Sequence, residues 1–83
     1  MPYFVYIVKC IDNSLYTGIT TNITRRIHEH NFTKKGAKYT KTRRPVTLVY
    51  SEEYRSRSDA SKREYQIKKL SKIEKEMIIK DEM

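Results

Sequence analysis

The chain has 83 residues, with 18 Lys and Arg against 10 Asp and Glu and a formal net charge of +8. That length fits one domain, expected over residues 1–83, and so small a fold buries only about 60% of its unfolded surface. The lone Cys10 excludes an internal disulfide, no Cys/His cluster has zinc spacing, and the apolar run Tyr3 to Val8 is far short of the ~18 residues of a spanning helix, so a soluble protein of the reducing cytoplasm is expected.

Tyr3 to Ile11 is rich in β-branched and aromatic residues and apolar at both alternating sets of positions. It predicts a central strand covered on both faces, with Cys10 inside it. Asp12-Asn13-Ser14 is a turn cluster and Leu15 to Thr20 resumes strand character, which makes a hairpin. A three-residue loop over Asp12–Ser14 would pair Ile11 with Leu15 and Cys10 with Tyr16, turning Tyr6 and Tyr16 to one face together with Gly18.

Thr21 or Asn22 caps a helix expected to reach about Asn31. Ile23 and Ile27 define its buried stripe, and Arg26 and His30 fall about 20° to 60° to one side of Ile23, directed at the sheet margin. Phe32 to Arg44 is polar and basic without a helical or strand period, so a loop is expected. Pro45 opens a third strand, Val46 to Tyr54. Ser58 or Asp59 caps a helix to about Leu70, and Ser71 with Glu74 forms a capping box for the last one. The order β-β-α-β-α-α predicts an α+β domain, a small three-stranded antiparallel sheet flanked by helices.

The charge is unevenly placed. Residues 1–24 carry only Lys9 and Asp12, whereas Arg25, Arg26, Lys34, Lys35, Lys38, Lys41, Arg43 and Arg44 stand against Glu29 alone. Such a block attracts a polyanion through counterion release, with Tyr39 as a stacking surface. Nucleic acid is therefore the expected partner. A membrane surface is disfavoured because no amphipathic apolar face accompanies the block.

Glu64 is the most telling single residue. It lies within about 60° of both Ala60 and Ile67, on the core-facing side of its helix. A carboxylate there is costly unless paired or bound to a cation. A divalent metal satisfies it, as does an ion pair with Arg26 or with Lys68 one turn along. Strand tyrosines are ordinarily core, and a histidine beside an apolar stripe is ordinarily a hydrogen-bonded structural residue. Tyr6, Tyr16 and His30 thus gain meaning only if the fold gathers them with Arg26 and Glu64.

Val5-Tyr6-Ile7, Tyr16-Thr17-Gly18-Ile19-Thr20, Arg25-Arg26-Ile27 with His30-Asn31, Gly36-Ala37-Lys38-Tyr39-Thr40 and Arg63-Glu64 together resemble the GIY-YIG nuclease family, in particular its small stand-alone bacterial members. The resemblance implies a GIY-YIG endonuclease fold and a set of roles. Glu64 would hold a single Mg²⁺ or Mn²⁺ ion on the scissile phosphate and leaving oxygen. Tyr6 would help activate the attacking water, Tyr16 would position water and phosphate, Arg26 would stabilise charge on the phosphoryl oxygens, and His30 and Tyr39 would assist orientation or proton transfer. The chain departs from the family pattern at Phe4-Val5, where the first glycine of the name motif is absent, and at Thr17. Many members also carry a separate DNA-binding domain, for which this length leaves no room, and some use a late asparagine, whereas Asn31 is the last here.

These expectations define a metal-dependent endonuclease acting on DNA rather than RNA, at branched, flapped or damaged sites in repair or recombination. The Arg25–Arg44 block would supply backbone binding, and a protein partner could supply specificity; oligomeric state is left open. The alternative is a nucleic-acid-binding module on the same fold with little or no turnover. A third reading is an interaction adaptor whose basic surface recruits an acidic partner.

Overall fold

A computed structural model describes residues 1–81. Three strands, β1 (Tyr3–Lys9), β2 (Leu15–Thr20) and β3 (Thr47–Tyr54), form an antiparallel sheet in the order β2-β1-β3, so β1 is central, as its two-sided apolar pattern predicts. Four helices accompany them: α1 (Ile23–Phe32), α2 (Lys38–Lys41), α3 (Arg57–Lys68) and α4 (Lys72–Asp81). No described helix is long and apolar enough to cross a membrane.

Alternation along β1 divides the core in two. Val5 and Ile7 pack with Tyr50, Ala60 and Ile67 on the side of α3 and α4, while Tyr6 and Val8 pack with Cys10, Val46, Tyr16 and Ile27 on the side of α1. The second layer carries the chemistry.

The hairpin differs from the expected one in a way that preserves its consequence. Its three loop residues are Ile11-Asp12-Asn13: Cys10 N–H donates to Ser14 O at 2.8 Å, and Asn13 takes the left-handed conformation with φ 70°. Asparagine tolerates that region where Ser14 would resist it. Ile11 consequently lies in the loop, 64% exposed, and β1 stops at Lys9, leaving Cys10 just beyond the strand. Tyr16 pairs with Val8 rather than Cys10, and Gly18 with Tyr6. A register shift of two residues keeps every side chain on its face, so Tyr6, Tyr16 and Gly18 still point to one side.

Asn22 caps α1 by accepting from Arg25 N at 3.0 Å. The segment expected to be a plain loop contains α2, and it is tied down by polar contacts that no hydrophobic period reveals. The side chain of Asn31 exchanges two bonds with the backbone of Val46, at 2.7 and 3.1 Å, and Arg44 donates to the carbonyls of Glu29, His30 and Thr33 at the C-terminal end of α1. Carbonyls in the last turn carry the negative end of the helix dipole, which a guanidinium complements, and that of Glu29 also accepts from Thr33 N–H at 3.3 Å. The cap of α3 is Ser56, accepting from Asp59 N, rather than Ser58 or Asp59, which places Asp59 in the first turn, where a carboxylate complements the positive end of the helix dipole. The Ser71/Glu74 capping box forms as expected.

Candidate active site

Tyr6 is 1% exposed, and its hydroxyl donates to His30 Nε2 at 2.7 Å. The hydroxyl lies directly over Gly18, where an added Cβ would stand 2.6 Å from Oη and 2.8 Å from Cζ. Glycine at this point of β2 is therefore a steric requirement of the tyrosine on the neighbouring strand.

His30, on α1, is fully buried. Its Nδ1 lies 2.9 Å from Thr40 Oγ1, which itself donates to Ala37 O at 2.9 Å. Since the one hydroxyl proton of Thr40 goes to that carbonyl, Nδ1 carries the imidazole proton and Nε2 the lone pair that Tyr6 meets. The 3.4 Å approach of Ala37 N–H to Nδ1 is the weaker contact. The result is a directed chain from Tyr6 through His30 and Thr40 to a backbone carbonyl.

Burial first, then the charges of Arg26 and Arg44, pull His30 down to about 4. Burial pushes Tyr6 up to about 12, with the fields of Tyr16 and Glu64 adding to the rise and Arg26 opposing it. At neutral pH both groups are uncharged, and Tyr6 is a donor. Arg26 alone does not give it the character of a base.

Arg26 reaches the site from α1. Its Nη1 bonds Glu29 Oε1 at 2.8 Å and Lys35 O at 2.9 Å, which uses both Nη1 protons and leaves Nε and Nη2 without a hydrogen-bonded acceptor of ordinary geometry among the described residues. Tyr16 sits edge-on to His30, with ring centroids 5.5 Å apart, and stacks on Tyr39 at 5.9 Å. The Arg43 guanidinium lies 4.0 Å over the Tyr39 ring, so that ring, expected to offer a free stacking surface, is already engaged within the fold.

Glu64 arrives from α3, which packs against β1 and β2. Its side chain is 22% exposed, and Oε2 pairs with Lys68 Nζ at 3.1 Å. Of the partners weighed from sequence, the one present is thus Lys68. Among the described residues no three His, Cys, Asp or Glu side chains gather as a metal site. A lone hard carboxylate still fits Mg²⁺ or Mn²⁺, which take one or two protein carboxylates and complete the shell with water and phosphate oxygens.

A model of the GIY-YIG catalytic domain matches residues 2–77. The chain belongs to the GIY-YIG family. It is 64% identical over 78 residues to UPF0213 protein DP2720 of Desulfotalea psychrophila, covering 94% of this chain and 71% of that one. To UPF0213 protein SH2523 of Staphylococcus haemolyticus it is 60% identical over 79 residues, covering 95% of each. The solution structure of UPF0213 protein BH0048 from Bacillus halodurans superposes with a TM-score of 0.62 at 44% identity, covering 96% of this chain and 84% of that chain. That of EF2693 from E. faecalis gives 0.63 at 40% identity, with 94% and 83% covered.

Within this GIY-YIG domain the basic block divides into two kinds of residue. Lys34, Lys35, Lys38 and Lys41 are exposed, and Arg25, with a side chain 58% exposed, pairs only loosely with Glu29 at 3.8 Å. Arg43 bonds Asp12 at 3.1 Å and Tyr39 O at 2.8 Å, and Arg44 holds the end of α1, so these two serve the fold. Sequence reasoning passed over Thr40, which fixes the tautomer of His30, and Glu29, which holds Arg26. Thr40 stands in the motif that ends at residue 40, but only the spatial proximity of His30 gives it a role.

Proposed function

We propose that the protein is a divalent-metal-dependent endonuclease that hydrolyses phosphodiester bonds in DNA, selecting branched, flapped or damaged structures in repair or recombination. The polar chain built on one buried hydroxyl carries this reading: Tyr6 Oη bonds His30 Nε2 at 2.7 Å, His30 Nδ1 is held by Thr40 Oγ1 at 2.9 Å, and Tyr16 lies edge-on to the same imidazole. A core tyrosine kept only for packing does not require a directed proton path behind its hydroxyl.

In this reading the guanidinium donors of Arg26 that Glu29 and Lys35 do not occupy receive the non-bridging phosphoryl oxygens, where charge grows as the water attacks. Tyr16, the less buried of the two tyrosines, orients phosphate and water. A proton leaving the water passes to Tyr6 Oη as Tyr6 hands its own to His30 Nε2, and the imidazolium so formed is held by Nδ1–H on Thr40. The incoming phosphate charge favours that imidazolium, raising His30 from its low resting value. Mg²⁺ or Mn²⁺ held by Glu64 would supply Lewis-acid stabilisation of the phosphate and leaving oxygen. The exposed lysines of residues 34–41 contribute sequence-independent affinity.

The Glu64–Lys68 contact favours one other reading, a nucleic-acid-binding module in which the lysine replaces the metal. Labelled linear, flapped and four-way-junction DNA, incubated with Mg²⁺, Mn²⁺ or EDTA, separates the two. Metal-dependent cutting supports the nuclease, and binding with no cutting in any condition supports the module.

A further inference from the structure

A groove opens beside Arg26, between the end of β2 and the first turns of α1 and α3. Its lining joins the apolar Tyr3 and Ile19 to Thr20, Thr21, Arg25, Arg26, Glu29 and Arg57. Three arginines thus face one carboxylate, and that carboxylate is already committed to Arg26 at 2.8 Å and Arg25 at 3.8 Å. Arg57 stands outside the basic block of the sequence, is exposed, and has no acidic partner within ion-pair distance among the described residues.

Resting on the nuclease reading, we propose that this groove is a second phosphate subsite, which holds the DNA strand next to the scissile bond, with Arg57 as a strand-binding residue. The chemistry is that of a deoxyribose-phosphate backbone. Its sugar meets the apolar side chains of Tyr3 and Ile19 while a phosphate flanking the scissile one meets the guanidinium groups of Arg25 and Arg57. Thr20 hydroxyl is occupied with the Asn22 backbone, which leaves Thr21 as the hydroxyl available to a phosphate oxygen. Because Arg26 lines both the groove and the Tyr6 site, one strand running through the groove delivers its next phosphate to the reacting centre. The groove also explains the surplus of positive charge at a place where it does not serve the fold: Arg43 and Arg44 have internal partners, and Arg57 has none among the described residues. The first turns of α1 and α3, of 10 and 12 residues, add the positive ends of two helix dipoles to the same spot.

The test measures binding only, so it does not depend on catalysis. A fluorescein-labelled flapped DNA is titrated in EDTA at several salt concentrations with the wild type, Arg57→Ala, Arg57→Lys and, as a control on the outer side of α3, Lys62→Ala. Arg57→Ala is expected to weaken binding about five- to ten-fold at low salt and to reduce the slope of log K against log salt by about 0.7 to 0.9, the loss of one phosphate contact. Arg57→Lys should keep the slope, and Lys62→Ala should change affinity by less than about two-fold. Wild-type affinity and slope in Arg57→Ala overturn the groove while leaving the nuclease reading in place. Failure of the wild type to bind DNA at all overturns both.

Discussion

Gly18→Ala probes the packing that creates the Tyr6 site. Its new Cβ would sit 2.6 Å from Tyr6 Oη and 2.8 Å from Cζ, about an ångström inside ordinary contact. Neither side has room to move: Tyr6 is 1% exposed and anchored at 2.7 Å to a fully buried His30, and Gly18 is paired backbone opposite it. Overpacking of this kind costs about 1–3 kcal/mol, and stretching the tyrosine–histidine bond adds about 1 kcal/mol. The expected loss is therefore about 2–4 kcal/mol, which at roughly 4–8 °C per kcal/mol for a domain this size lowers Tm by at least about 8 °C. Urea unfolding of the wild type, Gly18→Ala, Tyr6→Phe and the double variant gives a thermodynamic cycle. Since Tyr6→Phe deletes the closest clashing atom, Gly18→Ala should cost at least about 0.5 kcal/mol less in the Phe background. Additive losses, or a Gly18→Ala cost under about 0.5 kcal/mol, would refute the steric account.

Three further outcomes follow from the same contacts. His30 is held near 4 against an ordinary value of 6.5; between those values the unfolded chain binds a proton that the folded one refuses, so stability falls as pH falls. The loss from pH 7 to pH 5 should be about 2 kcal/mol by urea unfolding, and a wild-type slope persisting in His30→Gln would contradict its assignment to this residue. Arg44→Ala should cost about 2 kcal/mol, because it strips the carbonyls at the end of α1 of a charged donor, whereas Lys34→Ala should stay within about 0.5 kcal/mol; equal effects in chemical denaturation would contradict the division of the basic block. Glu64→Gln should change stability by no more than about 0.5 kcal/mol, the worth of a half-exposed pair one helical turn apart, and a loss above about 2 kcal/mol would mark Glu64 as a structural rather than a metal-binding residue.

Period and propensity carried most of the fold, since both depend on side chains that each element displays along its own length. The apolar double face of Tyr3–Val8 fixed β1 at the centre, and the α1 period selected Arg26 and His30. The facing of Tyr6 and Tyr16 was legible through parity alone, which survives a two-residue slip. What stayed hidden depends on contacts distant in sequence. The Tyr6–His30 bond spans 24 residues and the Arg44 anchorage 11 to 15. No local pattern shows that one arginine of a basic run binds helix carbonyls while the lysine ten residues earlier is free. The α2 turn was hidden for a similar reason, because it is set by Thr40 reaching Ala37 O and His30 rather than by an apolar stripe.

The central claim is that Arg26 and Glu64 act with Tyr6 as a phosphodiesterase site. Single-turnover cleavage of a flapped DNA at saturating protein in Mg²⁺ or Mn²⁺ tests it most directly, with affinity measured in parallel in EDTA. The account predicts that Glu64→Gln and Arg26→Ala lower the cleavage rate by at least about 100-fold, since each removes electrostatic stabilisation worth about 3 kcal/mol or more at the reacting phosphate. Affinity should stay within about ten-fold. A wild type that binds flapped DNA and leaves it intact with either metal, or a Glu64→Gln variant that cuts at the wild-type rate, would contradict it.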